Sequence, residues 1–369
     1  MKIAIDLLWL RPSKVGGTEF YIRNLLDGFM MSDMNFEFVL LLSKDNCDTF
    51  DKYMEDKRFK RIVANIQSAN IGKRIIWQNL NQNRLLRKYH IKNCFTPVYC
   101  RPVFNGGITY INTIHDLQAY HYPQYHPKYE VWYSKICWIA SCLNSKKIVA
   151  ISQWVKDDIV EKYHVKPEKI EVIYNSVNIE DGECNIQVLK KKYGINGEFY
   201  YTVSQMIPHK NLKTLIEVMD RIVHQRIDLP HTLVISGING NATEEVQRLI
   251  CEKGLENNIK LTGFVSNEER NALYKHCKTF LFPSVFEGFG MPPVEAMAFG
   301  TCVITTRCAS IPEVTQEKAN YVENPLDENE WIAVMTTAKY NAGEIDLERY
   351  NMIKLALKYG KLMMKTFDR

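Results

Sequence analysis

Four absences bound what this 369-residue chain can be. Its apolar runs, of which Phe38–Leu42 is among the longest, fall far short of the roughly 18 residues needed to cross a bilayer. The opening Met1–Leu10 is apolar, but Asp6 interrupts it and Arg11-Pro12 ends it with no small-residue cleavage site, so it reads as a first β-strand and not as a signal peptide. None of the ten cysteines forms a C-x-x-C pair, and neither Cys94/Cys100 nor Cys302/Cys308 has zinc spacing. Reduced thiols, no metal site and a cytoplasmic protein are therefore expected. No fixed-period repeat and no low-complexity tract occurs, which excludes solenoids and wholesale disorder.

The fourth absence is of negative charge. Between Asp56 and Asp116 there is no acidic residue, while eleven lysines and arginines fall there, from Lys57 to Arg101. The formal charge is +5, so the rest of the chain sums to −6. Such asymmetry suggests a basic face for phosphates or an anionic membrane; no nucleic-acid-binding motif accompanies it, so nucleic acid is not expected. Within this stretch Lys73–Lys92 interleaves Ile75, Ile76, Trp77, Leu80, Leu85, Leu86 and Tyr89 with basic residues. That pattern suits an amphipathic helix at a lipid interface, and equally a domain-surface helix with an ordinary core stripe.

Short apolar runs alternate with longer amphipathic ones. Lys2–Leu8, Phe36–Leu42, Gly107–Ile114, Lys147–Ile151 and Ile170–Ile173 are strand-like, and Thr18–Met30 has helical spacing. A polar stretch, Asn175–Glu183, precedes a second series at Phe199–Val203, Thr232–Ser236, Ile259–Thr262, Thr279–Pro283 and Thr301–Thr305. Alternation of this kind implies parallel sheets covered on both faces. The expected architecture is α/β: two Rossmann-like domains facing a central cleft, residues 1–178 and 179–350, then a helix over 351–369 packing back toward the first domain.

Chemistry concentrates in four segments. Ser284–Gly300 reads SVFEGFGMPPVEAMAFG: an apolar strand ends, Gly288 and Gly290 follow, then Pro292-Pro293 and an amphipathic run. Glycines admit close ligand approach, and proline at a helix's first positions sacrifices no hydrogen bond, so the junction offers free amides and a positive dipole end. Glu287 and Glu295 bracket the loop, and as carboxylates they suit sugar or ribose hydroxyls better than phosphate. In Val203–Asn211, Lys210 stands at a helix start, where it is either a solvated lysine or a counter-charge for a diphosphate. Val15-Gly16-Gly17-Thr18-Glu19 places a glycine pair between strand and helix, and is alone a weak signal. Thr113-Ile114-His115-Asp116 ends an apolar strand, and reads either as Asp116 capping a helix or as His115 presenting an imidazole that can bond or protonate a ligand oxygen. Tyr120–Trp138 is rich in aromatic residues and reads as packed against the first domain, lining an acceptor, or touching a membrane interface.

The Glu287–Glu295 segment inside EGFGMPPVEAMAFGTCVI, followed by IPEV at 311–314, resembles the retaining glycosyltransferases of family 4, the group 1 glycosyltransferases of the GT-B fold. The glycine pair at 16–17, TIHDL at 113–117, IVAISQWVKDDI at 148–159, VIYNSVN at 172–178, Lys210-Asn211 and GFV at 263–265 occur in the family's order. The resemblance implies a nucleotide diphosphate sugar as donor, no metal or other cofactor, and a closing cleft with a hinge near 175–180. It assigns Glu295 to the donor ribose, Glu287 to the transferred sugar, and the amides of Gly288, Phe289, Gly290 and Met291 to sugar and diphosphate. Lys210 offsets phosphate charge, Gly16 and Gly17 approach the donor phosphate, His115 touches the sugar near the reacting carbon, and Phe264-Val265 line the base pocket. The pattern departs at Gln205 and His209, where arginine is common in the family, and this leaves Lys210 with less cationic help beside the donor.

The EGFGMPP form most resembles mannosyltransferases of O-antigen or capsule synthesis. The implied reaction is hexose transfer with retention, mannose from GDP-mannose favoured, to a glycan or lipid-linked glycan in bacterial surface polysaccharide synthesis. Peripheral contact with the inner face of the cytoplasmic membrane is expected through Lys57–Arg101. The alternatives are another GT-B activity (glucosyl, rhamnosyl or N-acetylhexosaminyl transfer, or epimerisation) and an inactive GT-B binding module.

Overall fold

The computed structural model describes residues 1–12, 16–177, 182, 184–339 and 345–368. Val15 of the glycine segment and positions 178–180 of the expected hinge lie outside the described residues. The chain divides into two compact units: Met1–Ser176 together with Glu348–Arg369, and Val177–Leu347.

The first unit is a seven-stranded parallel sheet built from β1 (Lys2–Asp6), β2 (Glu37–Ser43), β3 (Phe59–Ala64), β4 (Asn93–Thr96), β5 (Thr109–Ile114), β6 (Lys147–Ala150) and β7 (Ile170–Val172), in the order β3-β2-β1-β4-β5-β6-β7. The second contains β8 (Tyr200–Val203), β9 (Leu233–Ser236), β10 (Ile259–Gly263), β11 (Thr279–Phe282), β12 (Val303–Thr306) and β13 (Asn320–Val322), ordered β10-β9-β8-β11-β12-β13. All pairings in both sheets are parallel. Renumbered from its own first strand, each sheet starts 3-2-1-4-5-6, the doubly wound order. The order reverses beside β1 and β4 in one unit and beside β8 and β11 in the other, so each has a crevice at the carboxyl ends of those strands.

Both sheets are buried on two faces, which explains their continuous apolar strands. In β2, Phe38, Leu40 and Leu42 enter one core while Val39 and Leu41 enter the other. In β9, Leu233 and Ile235 face one side and Val234 the opposite. The C-terminal helix Met352–Phe367 belongs to the first unit, adding Leu355, Tyr359, Leu362 and Met363 to its core. A Cβ on Gly28 would stand 2.7 Å from Ala356 Cβ, so glycine permits helix Gly17–Met30 to pack closely on this terminal helix. Tyr21 and Tyr359 close the junction with a 2.7 Å hydroxyl contact, and Tyr21 also meets Thr113 Oγ1 at 3.0 Å.

The structure corrects two readings. Strands β3, β4 and β13 were not anticipated: β3 lies on an edge with Lys60 and Arg61 exposed, and β4 and β13 are very short. The segment Lys73–Lys92 is not one regular amphipathic helix but helix Ile71–Trp77, a π-helical turn Gln78–Gln82 and helix Asn83–Lys88. Its buried side carries Arg74, Gln78 and Gln82 as well as Leu86, with Trp77 and Leu85 packed on the same core, while Ile76 and Leu80 are exposed. Arg74 donates to the Trp9 carbonyl, and both glutamines donate to the Asp6 carboxylate at 3.2 and 2.8 Å. The core face is polar at Arg74, Gln78 and Gln82, where it serves a buried carboxylate at the end of β1, and apolar at Leu86. Burial outweighs these hydrogen bonds and raises the Asp6 pKa to about 6.

Candidate functional site

In the second unit the loops leaving β8 and β11 meet at the point where strand order reverses. After β8, Pro208–Lys210 forms a single 3-10 turn, and Asn211 follows with φ 53°, a left-handed conformation that asparagine tolerates. The Asn211 amide donates to the carbonyls of Pro283 (3.2 Å) and Pro325 (2.9 Å), and Val285 N–H donates to the His209 carbonyl at 2.9 Å. These bonds tie the two loops together. Lys210 Nζ consequently contacts Glu287 Oε1 at 2.5 Å, both side chains mostly but not wholly buried.

Behind Glu287, Ser310 Oγ donates to the carbonyls of Glu287 (2.8 Å) and Phe289 (3.0 Å), fixing the loop from its far side. Gly290 adopts φ 89°, which a side chain would strain, and starts helix Met291–Ala298, whose first turn has no side-chain cap. Of the helix's first three positions only Met291 carries an N–H, prolines 292 and 293 having none, so that amide and the helix dipole are what this end offers to an anion. Glu295, one turn in, accepts from Tyr274 Oη at 2.9 Å and has Arg270 Nε 3.7 Å away. Burial, then the Glu295 charge, holds the Tyr274 phenol well above its ordinary range, so it remains a hydrogen-bond donor.

Gln205 lies on the β8 loop, its amide 3.5 Å from the Asn239 carbonyl. Phe264 and Val265 follow β10, Phe264 exposed and Val265 buried. The β8 and β9 loops approach so closely that a Cβ on Gly237 would stand 1.8 Å from the Ser204 carbonyl oxygen, and one on Gly240 2.3 Å from that of Met206. Gly237, Gly240, Asn211, Arg270, Tyr274 and Ser310 all shape this crevice, and none was singled out from the sequence as a site residue. Ser310 adjoins the IPEV motif and Asn211 the lysine, signals that could have found them; the others act through partners remote in sequence.

In the first unit, Gly16 has φ 56°, open space where a Cβ would stand, and caps a 14-residue helix starting at Gly17 without any side-chain cap. His115 extends from β5, its Nε2 2.8 Å from the Pro97 carbonyl and its ring edge-on to Tyr21 at 4.8 Å. A carbonyl partner requires the proton on Nε2 in the neutral ring, leaving Nδ1 as an acceptor. Burial lowers the pKa to about 4, the Pro97 bond opposing, so this imidazole is neutral near pH 7 and suited to receive a hydrogen bond more than to give a proton. Asp116 is not the N-cap of the short helix Gln118–His121, that position being Leu117; it stands one residue earlier, where its Oδ1 accepts from Gln118 N–H at 2.9 Å.

The sequence relationships agree with this geometry. Residues 15–181 match the description of Glycosyltransferase Family 4 and residues 185–344 that of Glycosyl transferases group 1. The O-antigen chain mannosyltransferase RfbU of Salmonella typhimurium is 32% identical over 335 residues, covering 89% of this chain and 88% of its own. The chain belongs to the family 4, group 1 glycosyltransferases. A second relative, O-antigen chain mannosyltransferase B of Escherichia coli, is 27% identical over 221 residues, covering 59% of this chain and 58% of its own. In structure, this glycosyltransferase resembles HepE of Anabaena, solved in complex with UDP and glucose, with a TM-score of 0.75 at 18% identity over 99% of this chain and 100% of that one. The fold is GT-B, with two Rossmann-like domains, and the chain is a hexosyltransferase.

Proposed function

We propose that this glycosyltransferase moves mannose from GDP-mannose, with anomeric retention, onto a glycan or lipid-linked glycan during surface polysaccharide synthesis at the inner face of the cytoplasmic membrane. The Lys210–Glu287 contact at the switch point of the second sheet carries this reading. A paired lysine and carboxylate can divide one donor between them: the carboxylate accepts from sugar hydroxyls and the ammonium turns to the diphosphate as its charge grows on departure. The uncapped helix start at Gly290 and the Phe289–Met291 amides supply further positive potential to the leaving group.

Glu295 holds the ribose hydroxyls, oriented by Tyr274 and Arg270. Phe264 and Val265 border the base, and Gln205 contributes a neutral amide where an arginine would contribute charge. In the first domain taken by itself, the uncapped Gly16-Gly17 helix start suits a phosphate and His115 can accept from a sugar hydroxyl. No metal or other cofactor enters the scheme. Mannose is favoured because RfbU and the Escherichia coli relative are named as O-antigen chain mannosyltransferases.

The test is product analysis. Purified protein would be incubated with GDP-mannose, UDP-glucose, UDP-galactose and dTDP-rhamnose in turn, with a lipid-linked oligosaccharide extract as acceptor. Transfer from GDP-mannose alone, with an α-anomeric product by NMR, is expected. Transfer only from another donor would overturn the mannose assignment, and inversion at the anomeric carbon would overturn retention.

A further inference from the structure

The terminal helix Met352–Phe367 carries a polar group where apolar contact would suffice. Leu355, Leu362, Met363 and Phe367 bury their side chains in the core of the first unit. Glycines bring the helix in close: a Cβ on Gly28 would press on Ala356, and one on Gly360 would stand 2.1 Å from Met34 Sδ. Between Ala356 and Gly360 stands Tyr359, 1% exposed. A buried hydroxyl costs free energy unless it is bonded, and a phenylalanine would fill the space without that demand.

The hydroxyl is bonded, and to particular partners. Tyr359 Oη lies 2.7 Å from Tyr21 Oη, and Tyr21 Oη lies 3.0 Å from Thr113 Oγ1. All three side chains are buried. Burial pushes the Tyr359 phenol up to about 12 and the Tyr21 phenol well above its ordinary range, so both keep their protons near pH 7. The rings are packed as well: Tyr359 meets Phe95 of β4 with centroids 5.4 Å apart and Tyr21 at 6.5 Å. A buried network whose members are bonded to one another specifies a single arrangement.

This chain of hydroxyls ends beside His115. Tyr21 stands one turn into helix Gly17–Met30, and Thr113 lies two residues before His115, near the end of β5. Alternate residues of a strand share a face. Tyr21 accordingly meets both: its hydroxyl bonds Thr113, and its ring stands edge-on to the imidazole, 4.8 Å between centroids at 84°. Among the described residues the imidazole has one hydrogen-bond partner, the Pro97 carbonyl, 2.8 Å from Nε2. One bond leaves the ring free to turn about it, and the Tyr21 ring closes that freedom on one side.

We propose that Tyr359 is a positioning residue for the transfer reaction: through Tyr21 it holds the His115 imidazole in the orientation that presents Nδ1 to a sugar hydroxyl. This rests on the role given to His115 above and extends it to the terminal helix. Without the Tyr359 hydroxyl, Tyr21 is bonded to Thr113 alone and can swing about that bond. The imidazole then loses its wall while the apolar packing of the helix stays.

The test uses the full chain in five forms: native, Tyr359→Phe, Leu362→Val, His115→Asn and Tyr359→Phe/His115→Asn. Tyr359→Phe deletes one oxygen, and Leu362→Val disturbs the same helix without touching the hydroxyls. Initial rates with the donor that supports turnover separate kcat from KM. Nitrogen NMR of histidine-labelled protein reads the His115 tautomer, assigned by its loss in His115→Asn. Tyr359→Phe should lower kcat about tenfold with the donor KM within about twofold of native. Leu362→Val should lower the unfolding temperature and leave kcat within about twofold. In the His115→Asn background Tyr359→Phe should change kcat by less than about twofold. Native His115 should show one tautomer, with the proton on Nε2, and Tyr359→Phe a mixture of two. Equal losses in both backgrounds, an equal loss in Leu362→Val, an unchanged kcat or unchanged nitrogen shifts in Tyr359→Phe would each overturn the proposal. If Tyr359→Phe does not fold, Tyr21→Phe cuts the same chain from its other end and is read in the same way. If His115→Asn has no measurable rate, the shifts decide. They need no donor, so an absence of turnover with every nucleotide sugar would sink the donor assignment and leave the shifts to judge the positioning.

Discussion

Replacement of Lys210 by alanine probes the site most sharply. Lys210 Nζ sits 2.5 Å from Glu287 Oε1 on a turn pinned by Asn211 and the His209 carbonyl, so the backbone should survive the change. In the reaction this ammonium faces a diphosphate that gains charge as the glycosidic bond breaks. Two unit charges about 4 Å apart at an effective dielectric near 20 interact by about 4 kcal/mol. Part of that is lost because Lys210 must leave Glu287, so a net effect of about 3 kcal/mol is expected, or roughly a hundredfold in kcat. The assay is initial-rate transfer from GDP-mannose, with kcat and KM separated and GDP affinity measured by calorimetry. The expected pattern is a kcat reduced about a hundredfold with GDP affinity changed much less. A kcat within tenfold of native, or a loss confined to donor binding, would refute the role. Because Lys210 and Glu287 touch, Lys210→Ala/Glu287→Gln should lose less than the two single variants combined.

Three other perturbations give definite outcomes. Asp6 has its folded-state pKa raised from 3.8 to about 6, so between those values the native state holds the proton and the unfolded state does not; stability should therefore fall by up to about 3 kcal/mol as pH rises from 4 to 6, then level off. Urea unfolding across pH 4–7 checks this, and Asp6→Asn should flatten the profile. Gly237→Ala would drive a Cβ against the Ser204 carbonyl from a φ of 136°, so several kcal/mol of stability and the GDP-induced thermal shift should both be lost. His115, with a pKa of about 4, should contribute no inflection to the pH–rate profile between 6 and 8; an inflection near 6.5 that disappears in His115→Asn would contradict its assignment as a neutral acceptor.

Much of the fold was legible because doubly covered parallel strands have to be continuously apolar. FVLLL in β2 and TFLF in β11 announce themselves in this way. β3 does not, since FKRIVA alternates irregularly with its charges facing solvent from an edge. Lys73–Lys92 misled for a more interesting reason. Amphipathicity assumes that apolar side chains seek the core, but here Asp6 needs donors, so Gln78 and Gln82 turn inward and Ile76 and Leu80 are left outside. At the site, the roles of Lys210, Glu287 and His115 came from resemblance to a family, because spacing alone left each with a bland alternative. What periodicity could not supply was their company: Lys210 and Glu287 stand 77 residues apart in sequence, and Tyr274 meets Glu295 from a different helix. Those encounters depend on which strands border the switch point, a property of the whole sheet.

The central claim, a nucleotide diphosphate site in the second domain, is tested most directly by thermal unfolding with GDP, UDP, dTDP and ADP in parallel. A ligand at about 100 times its dissociation constant adds about 2.7 kcal/mol to the folded state, which for a domain of this size raises the transition by roughly 5–10 °C. The account predicts such a shift with GDP, small ones with the other nucleotides, and none with GDP in Glu295→Ala. The absence of a shift with every nucleotide, or an undiminished GDP shift in Glu295→Ala, would contradict it.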